Sequence, residues 1–120
     1  MRKVLFTLAC CIGALLPHNT AHAGETVCQQ DGLAQLCGSA TTAQDVVRIN
    51  YEITQLDGPG RYRIFYLDLD SSTSTPPQEV PALRHNETVS GALFGRLNHC
   101  FQLVLTSQYN SILRVGPICE

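Results

Sequence analysis

The stretch LDLDSSTST, residues 67–75, carries the side chains best suited to binding an ion. Asp70, Ser72 and Ser74 form a D-x-S-x-S pattern after an apolar run. One carboxylate and two hydroxyls are hard oxygen ligands of the kind that divalent cations prefer. The pattern leaves a weak cation site open. We adopt the simpler interpretation, a solvated strand end that runs into a Ser/Thr-rich loop without a metal.

Few other residues could support catalysis. Asp68 and Asp70 could imitate the carboxylate pair of a glycoside hydrolase, but the chain has no tryptophan to form a sugar platform. His99 and Cys100 could form a nucleophile–base pair, but adjacent residues of a strand point to opposite faces. We therefore predict that His85 and His99 are surface or hairpin residues. We also predict that the protein is not an enzyme and uses no cofactor.

Four cysteines follow residue 23, namely Cys28, Cys37, Cys100 and Cys119. Zinc sites use closely spaced pairs such as C-x2-C, whereas these cysteines are separated by eight, 62 and 18 residues. An even number of cysteines in a small exported domain is typical of disulfides. The sequence therefore predicts two disulfide bonds.

The last two cysteines flank a predicted β-hairpin whose turn is Tyr109-Asn110. With the turn centred there, the residue numbers of two opposed positions add up to 219. This pairs Cys100 with Cys119, Phe101 with Ile118, and Val104 with Val115. Opposed residues of paired strands lie close enough for a disulfide. By default the other bridge is Cys28–Cys37. The predicted core face of this hairpin carries Phe101, Leu103, Leu105, Ile112 and Ile118.

Residues 1–23 have the features of a secretory signal peptide. A basic start precedes an apolar run of 13 residues, Val4 to Leu16, which is too short to span a bilayer. The small residues of Thr20-Ala21-His22-Ala23 predict cleavage after Ala23. Acylation at Cys10 or Cys11 is the competing interpretation, but those cysteines lie in the middle of the apolar run.

The remaining 97 residues, 24–120, are of a length typical of one domain. They contain no lysine, and loss of Arg2 and Lys3 changes the formal charge from −2 to −4. Nucleic acids and anionic membranes both attract basic surfaces. The composition therefore argues against a nucleic-acid partner, and the chain has no predicted membrane span.

The pattern of apolar residues is that of β-strands. DVVRINYEITQL, residues 45–56, alternates apolar and polar side chains, and the turn-forming LDGPG overlaps its end. RYRIFYLDLD, residues 61–70, is apolar on both faces in its middle, which predicts a central strand covered on both sides. Residues 33–36 are expected to form at most one or two helical turns.

The segment 71–88 is rich in serine, threonine and proline. Its prolines predict a long crossing loop with a short edge strand near Val80. Pro76 and Pro77 are the residues of this loop that are best placed to contact a partner. The sequon Asn86-Glu87-Thr88 indicates a surface position.

The segment ETVSGALFGRLNHCFQLVLTSQYN, residues 87–110, resembles the passage from strand E to strand F in fibronectin type III and immunoglobulin-like domains. The matching positions are Phe94, Cys100, Leu103, Leu105 and Asn110. The resemblance extends over about 70 residues from Asp45, but the tryptophan of strand B is absent, with Tyr51 nearest, and Cys100 stands near a usual aromatic position. It implies a sandwich used for binding or spacing, without catalytic residues.

These patterns predict an all-β fold, a small antiparallel immunoglobulin-like β-sandwich stapled by two disulfides. The corresponding function is an exported, non-catalytic binding or assembly module. Its partner is expected to be another protein or a surface ligand, in the periplasm or outside the cell. The alternative is a secreted inhibitor or effector that presents the 71–88 loop to a target enzyme.

Overall fold

Nine β-strands make up the regular structure of the computed structural model, which describes residues 24–108 and 111–119. The strands are β1 (Val27–Gln30), β2 (Ala34–Ala43), β3 (Val46–Gln55), β4 (Tyr62–Asp68), β5 (Thr73–Ser74), β6 (Gln78–Glu79), β7 (Thr88–Arg96), β8 (Cys100–Ser107) and β9 (Ile112–Cys119). These residues include no helix, and so none with the length and apolarity needed to cross a membrane. The predicted signal segment 1–23 and the turn at 109–110 lie outside the described residues.

The strands form two antiparallel sheets. The first has the order β1-β2-β3-β7, and the second has the order β5-β4-β8-β9, with β6 also paired to β4. β1 and β2 lie against β9, and β7 lies against β4, so the two sheets face each other. The predicted all-β class is therefore confirmed.

One core lies between the sheets. Its buried side chains from the first sheet include Leu36, Val47, Ile49 and Ile53, and those from the second include Ile64, Phe101, Leu103, Leu105, Val115 and Ile118. Two glycines of the first sheet let these side chains reach its backbone. A Cβ on Gly38 would lie 2.6 Å from Cδ1 of Leu103, and one on Gly95 would lie 2.5 Å from Cζ of Phe101.

Both predicted disulfides are present. Cys28 and Cys37 join β1 to β2, and Cys100 and Cys119 join β8 to β9. Each pair is directly opposed across its two strands. Such bonds are typical of an oxidising, extracytoplasmic environment.

The register of the final hairpin differs from the prediction beyond its first pairs. The Phe101–Ile118 pair is confirmed, but Val104 pairs with Arg114 and not with Val115. A β-bulge causes this shift, because Gly116 and Pro117 together occupy the interval opposite the single residue between Phe101 and Leu103. Opposed positions therefore sum to 218 beyond the bulge.

The bulge also changes which residues of β9 face the core. Ile112 was predicted to be buried and is 53% exposed, whereas Leu113 is buried opposite Leu105. Because strand side chains alternate with a period of two, a shift by one residue moves each side chain to the other face. The remaining predicted core residues of this hairpin are buried.

Residues 34–36 belong to a strand, and Leu33 lies in the bend before it, so this segment forms no helical turn. Oδ1 of Asp31 accepts the backbone N–H groups of Leu33 and Ala34, at 2.7 and 3.0 Å. These bonds close the tight turn between β1 and β2 and start β2 at Ala34. The local turn chemistry of one aspartate decides the structure here.

The two strands predicted from residues 45–70 are present as β3 and β4. β4 is a central strand, with β8 on one side and β5 and β6 on the other. The prediction that both of its faces are covered is wrong, because Phe65 and Leu67 on the outer face are only half-buried. No described element forms a layer over that face.

Candidate functional site

The segment 71–80 is bound along the edge of β4 and is not a free loop. The N–H of Thr75 donates to the carbonyl of Tyr66 at 3.1 Å, and the N–H of Tyr66 donates to Oγ1 of Thr75 at 3.1 Å. The N–H of Val80 donates to the carbonyl of Tyr62 at 3.0 Å. The short edge strand predicted near Val80 is thereby confirmed as β6, and Thr75 and the exposed Pro76 and Pro77 separate it from β5.

Asp70, Ser72 and Ser74 of the D-x-S-x-S pattern have different surroundings. Oδ2 of Asp70 accepts the N–H of Cys100 at 2.6 Å. Ser72 is exposed with a φ of 56°, and Ser74 lies in β5 opposite Leu67. No hydrogen bond joins Asp70 to either serine in the described part of the chain, and cation binding by these three side chains stays a hypothesis.

Asp70 instead lies close to Asp68 and His99. The sequence analysis did not predict this cluster. Nδ1 of His99 lies 2.7 Å from Oδ2 and 2.9 Å from Oδ1 of Asp68. Each of the three residues offers one metal-ligand atom, and these atoms lie within 4.8 Å of one another. His99, predicted to be a surface or hairpin residue, lies in the turn before β8 but is half-buried and bonded to Asp68, which is 5% exposed.

The hydrogen bonds of this cluster identify it as a structural link. Oδ1 of Asp68 also accepts the N–H groups of Asp70 and Ser71, at 3.0 and 3.1 Å. Burial opposes the charged carboxylate, but the hydrogen bonds from His99, Ser71 and Asp70 outweigh it and lower the pKa of Asp68. Oδ1 of Asp68 and Oδ2 of Asp70 thus already accept backbone N–H groups.

The pairing of β4 with β8 is what brings the cluster together. Asp68 lies opposite Phe101, so alignment of the two strands in this register would place His99 just beyond Asp68. His99 also stacks near the Phe101 ring, with centroids 6.4 Å apart. This pairing joins residues 31 positions apart, which no local pattern reveals.

His85 and the sequon lie at the surface as predicted. His85 is exposed in the turn before β7, and Asn86 is exposed with a φ of 66°. The N–H of Asn86 donates to the carbonyl of Gln55 at 2.8 Å, which attaches this turn to the end of β3. His85 takes no part in the Asp68 cluster.

The four sheet edges differ in how they are protected. β1 has only four residues, β9 carries the bulge at Gly116-Pro117, and the edge of β4 is covered by β5 and β6 around Pro76-Pro77. Short strands, prolines and bulges are the usual means of blocking an edge. Within the described ranges β7 is the exception, with nine residues, no proline, and Arg96 at its end as the single charge.

The pairing of β7 with β3 shows which backbone groups face outward. The N–H of Gln55 donates to the carbonyl of Glu87 at 2.8 Å, so odd-numbered residues of this strand bond to β3 and even-numbered ones point away. The hydroxyl of Tyr66 donates to the carbonyl of Phe94 at 2.8 Å, in agreement with that phase. The outward N–H groups of Ser90, Ala92 and Phe94 have no partner among the described residues.

The side chains of β7 leave this edge accessible. Phe94 is 58% exposed, so it does not close the strand against the core as the resemblance to strand E implied. Its neighbours Leu93 and Gly95 face inward instead. The ring of Tyr51 covers Gly91, where a Cβ would collide with the phenol. The edge is thus formed by small residues with one exposed aromatic side chain.

No known family model, curated protein or solved structure matches the chain.

Proposed function

We propose that the protein is an exported, non-catalytic binding module that contacts other proteins through the open edge of β7. The observation that carries this proposal is the contrast between β7 and the three protected edges. An unprotected edge exposes backbone donors and acceptors that an added strand can satisfy. Proteins that need only to avoid aggregation block such an edge, as this chain does elsewhere.

The strand order supports an immunoglobulin-like relationship. In such sandwiches strand B pairs with strand E, and strands C, F and G are neighbours. β3 and β7 take the positions of B and E, and β4, β8 and β9 take those of C, F and G. This assignment agrees with the resemblance of residues 87–110 to the passage from E to F.

Export is supported by two independent features. Residues 1–23 have the pattern of a signal peptide, and the two disulfides require an oxidising compartment to persist. We propose cleavage after Ala23 and action in the periplasm or outside the cell. There the four cysteines of the remaining chain are bridged.

The test is capture of partners from the envelope or secretions of the producing organism. Ala92→Pro removes an outward N–H without breaking a bond to β3, and Ala92→Ser is the matched control that keeps it. We expect Ala92→Pro to lose the partners that the wild type and Ala92→Ser retain. Ser90→Pro serves as a second variant if Ala92→Pro does not fold. Equal capture by all variants would refute the proposal.

A second candidate function, a secreted inhibitor, is favoured by the exposure of Pro76 and Pro77 between two short strands. Replacing the whole loop would also uncover the edge of β4, so the cleaner change is Pro76→Gly with Pro77→Ser. If this double variant loses its partners while Ala92→Pro keeps them, the inhibitor is the better description.

A further inference from the structure

We propose that the edge of β7 accepts one extended segment of another protein as an added strand, and not the edge of a second folded copy of this chain. This inference rests on the proposed function and names the form of the partner. It follows from how the two sheets overlap beside β7.

The second sheet extends one strand further than the first on this side. β1 and β2 lie against β9, and β7 lies against β4, so β5 and β6 have no facing strand in the first sheet. Neighbouring strands are about 4.8 Å apart and facing sheets about 10 Å apart. A strand added beside β7 would therefore face β5 and β6 across an ordinary sheet separation.

A second copy that pairs antiparallel through its own β7 does not fit this position. Pairing β7 with its copy about a twofold axis normal to the sheet would place both second sheets on the same side. The projecting β5 and β6 of each copy would then occupy the space needed by the other. A single extended segment has one layer and meets no such obstacle.

The outward groups of β7 define the length of the segment. Ser90, Ala92 and Phe94 each direct a backbone N–H and C=O outward. Because the C=O of Phe94 already accepts the hydroxyl of Tyr66, an antiparallel partner would make about five bonds with them. The interval from Ser90 to Phe94 covers about 14 Å of strand. A partner segment of five or six residues matches this ladder.

Charge and burial on the two sides define the side chains of the segment. On the outer face, Arg48 lies opposite Phe94 and Arg96 follows two residues later, so an acidic residue beside Phe94 is favoured. On the inner face the segment would approach the half-buried Tyr66 and Val89, which favours apolar residues. The segment therefore alternates apolar and polar residues, with one acid.

The experiment tethers such a segment to the protein itself. The chain is extended beyond Glu120 by about ten Gly/Ser residues, whose r.m.s. span is about 17 Å, followed by Val-Thr-Val-Asp-Val-Thr. Tethering raises the effective concentration of a weak ligand to the millimolar range. A chain with Gly/Ser in place of the final six residues is the matched control.

Hydrogen exchange distinguishes the outward-facing amides of β7 from those that bond to β3. We expect exchange at the amides of Ser90, Ala92 and Phe94 to slow by about tenfold relative to the control. Gly91 and Leu93, whose amides bond to β3, should not change. Ala92→Pro in the tethered chain should abolish the slowing at Ser90 and Phe94, and unchanged exchange in β3 shows that this variant is folded.

Two results would overturn the inference. The first is exchange at the three amides that is equal in the tethered and control chains. The second is a doubled mass in sedimentation of the untethered chain with the same amides protected, which identifies the partner as a second copy. If either occurs while Ala92→Pro still loses captured partners, this inference fails and the proposed function survives. Unaltered capture would refute the proposed function separately.

Discussion

Nδ1 of His99 lies 2.7 Å from Oδ2 of Asp68, which connects the turn before β8 to the last residue of β4. Asp68 is buried, and its other oxygen accepts backbone N–H groups from the turn that follows β4. One carboxylate thus holds two turns of the second sheet together. Burial of a carboxylate is tolerated when hydrogen bonds replace the lost water.

Asp68→Ala should destabilise the protein more than Asp68→Asn. The alanine variant leaves the N–H groups of Asp70 and Ser71 without their acceptor and removes the bond to His99. Because hydrogen bonds to charged groups contribute about 1.5–3 kcal/mol, we expect a loss of about 2 kcal/mol in the free energy of unfolding. Asparagine keeps an acceptor for the turn and should cost less. Urea denaturation at pH 7 measures both, and equal losses would contradict the proposed role of the turn.

The same carboxylate predicts a loss of stability in acid. The pKa of Asp68 is lower in the folded chain than in the unfolded chain, so the unfolded chain binds a proton more readily. The resulting stabilisation is complete above the ordinary aspartate pKa of about 4 and is lost as the pH falls through the folded value. The unfolding free energy of Asp68→Asn should fall less between pH 6 and about 2 than that of the wild type. Asp45→Asn, at an exposed turn, is the matched control for a substitution of the same type.

The disulfide pairing predicts a specific tryptic digest. Cleavage after arginine places Cys100 in residues 97–114 and Cys119 in residues 115–120, while Cys28 and Cys37 share residues 24–48. Mass spectrometry without reduction should find the last two peptides joined and the first with an internal bridge. A species that ties all three peptides together would show crossed pairing.

Loss of the Cys100–Cys119 bond should lower stability substantially. It closes a loop with a sequence separation of 19 residues, which corresponds to about 3 kcal/mol in the chain-entropy model. The double variant Cys100→Ser, Cys119→Ser should show this loss in urea denaturation. A loss below about 1 kcal/mol would mean that the unfolded chain is already constrained near the hairpin.

Gly95→Ala should be costly, and Gly32→Ala should not. A Cβ on Gly95 would lie 2.5 Å from the Phe101 ring, so the buried ring must move, at about 1–3 kcal/mol. Gly32 has no atom within 4 Å of an added Cβ, and its alanine variant should remain within about 0.5 kcal/mol of the wild type. Thermal or urea unfolding compares the two. Equal effects would contradict the close approach of the sheets at Gly95.

Tyr66→Phe should remove a phenol whose pKa is raised above its ordinary value. Burial, followed by the charge of Asp68, raises the pKa of Tyr66, and Arg96 opposes this only in part. Stability from the neutral phenol is complete below the unfolded pKa of about 10 and is lost as the pH rises through the folded value. The phenolate absorbance missing from the variant should therefore titrate above about pH 10 in the folded chain. In denaturant, the difference in phenolate absorbance between the wild type and Tyr66→Phe should titrate at the ordinary tyrosine pKa of about 10, which provides the control.

Tyr66→Phe also tests the contact between the two sheets at the edge of β7. It deletes the bond from the hydroxyl to the carbonyl of Phe94 but keeps the edge-to-face contact with Phe101, at 5.0 Å between centroids. We expect a loss of about 1 kcal/mol in the free energy of unfolding. No loss would mean that water replaces the hydroxyl at no cost.

The sequence alone determined the features that depend on neighbouring residues along the chain. Alternation in residues 46–55 predicted β3 because the side chains of a strand repeat every two residues. The Cys100–Cys119 bond was predictable because a hairpin with a short turn brings its ends together. The composition of residues 1–23 predicts a leader, and the two disulfides fit the oxidising compartment that the cysteine count predicts.

Only the tertiary structure decided the features that depend on which strands become neighbours. The link between Asp68 and His99 requires β4 to pair with β8, and the open edge requires β7 to lie at the end of its sheet. The bulge at Gly116-Pro117 shifted the hairpin register by one residue. Sheet order is set by packing of the whole chain, since no local pattern specifies the partner of a strand or leaves an edge without one.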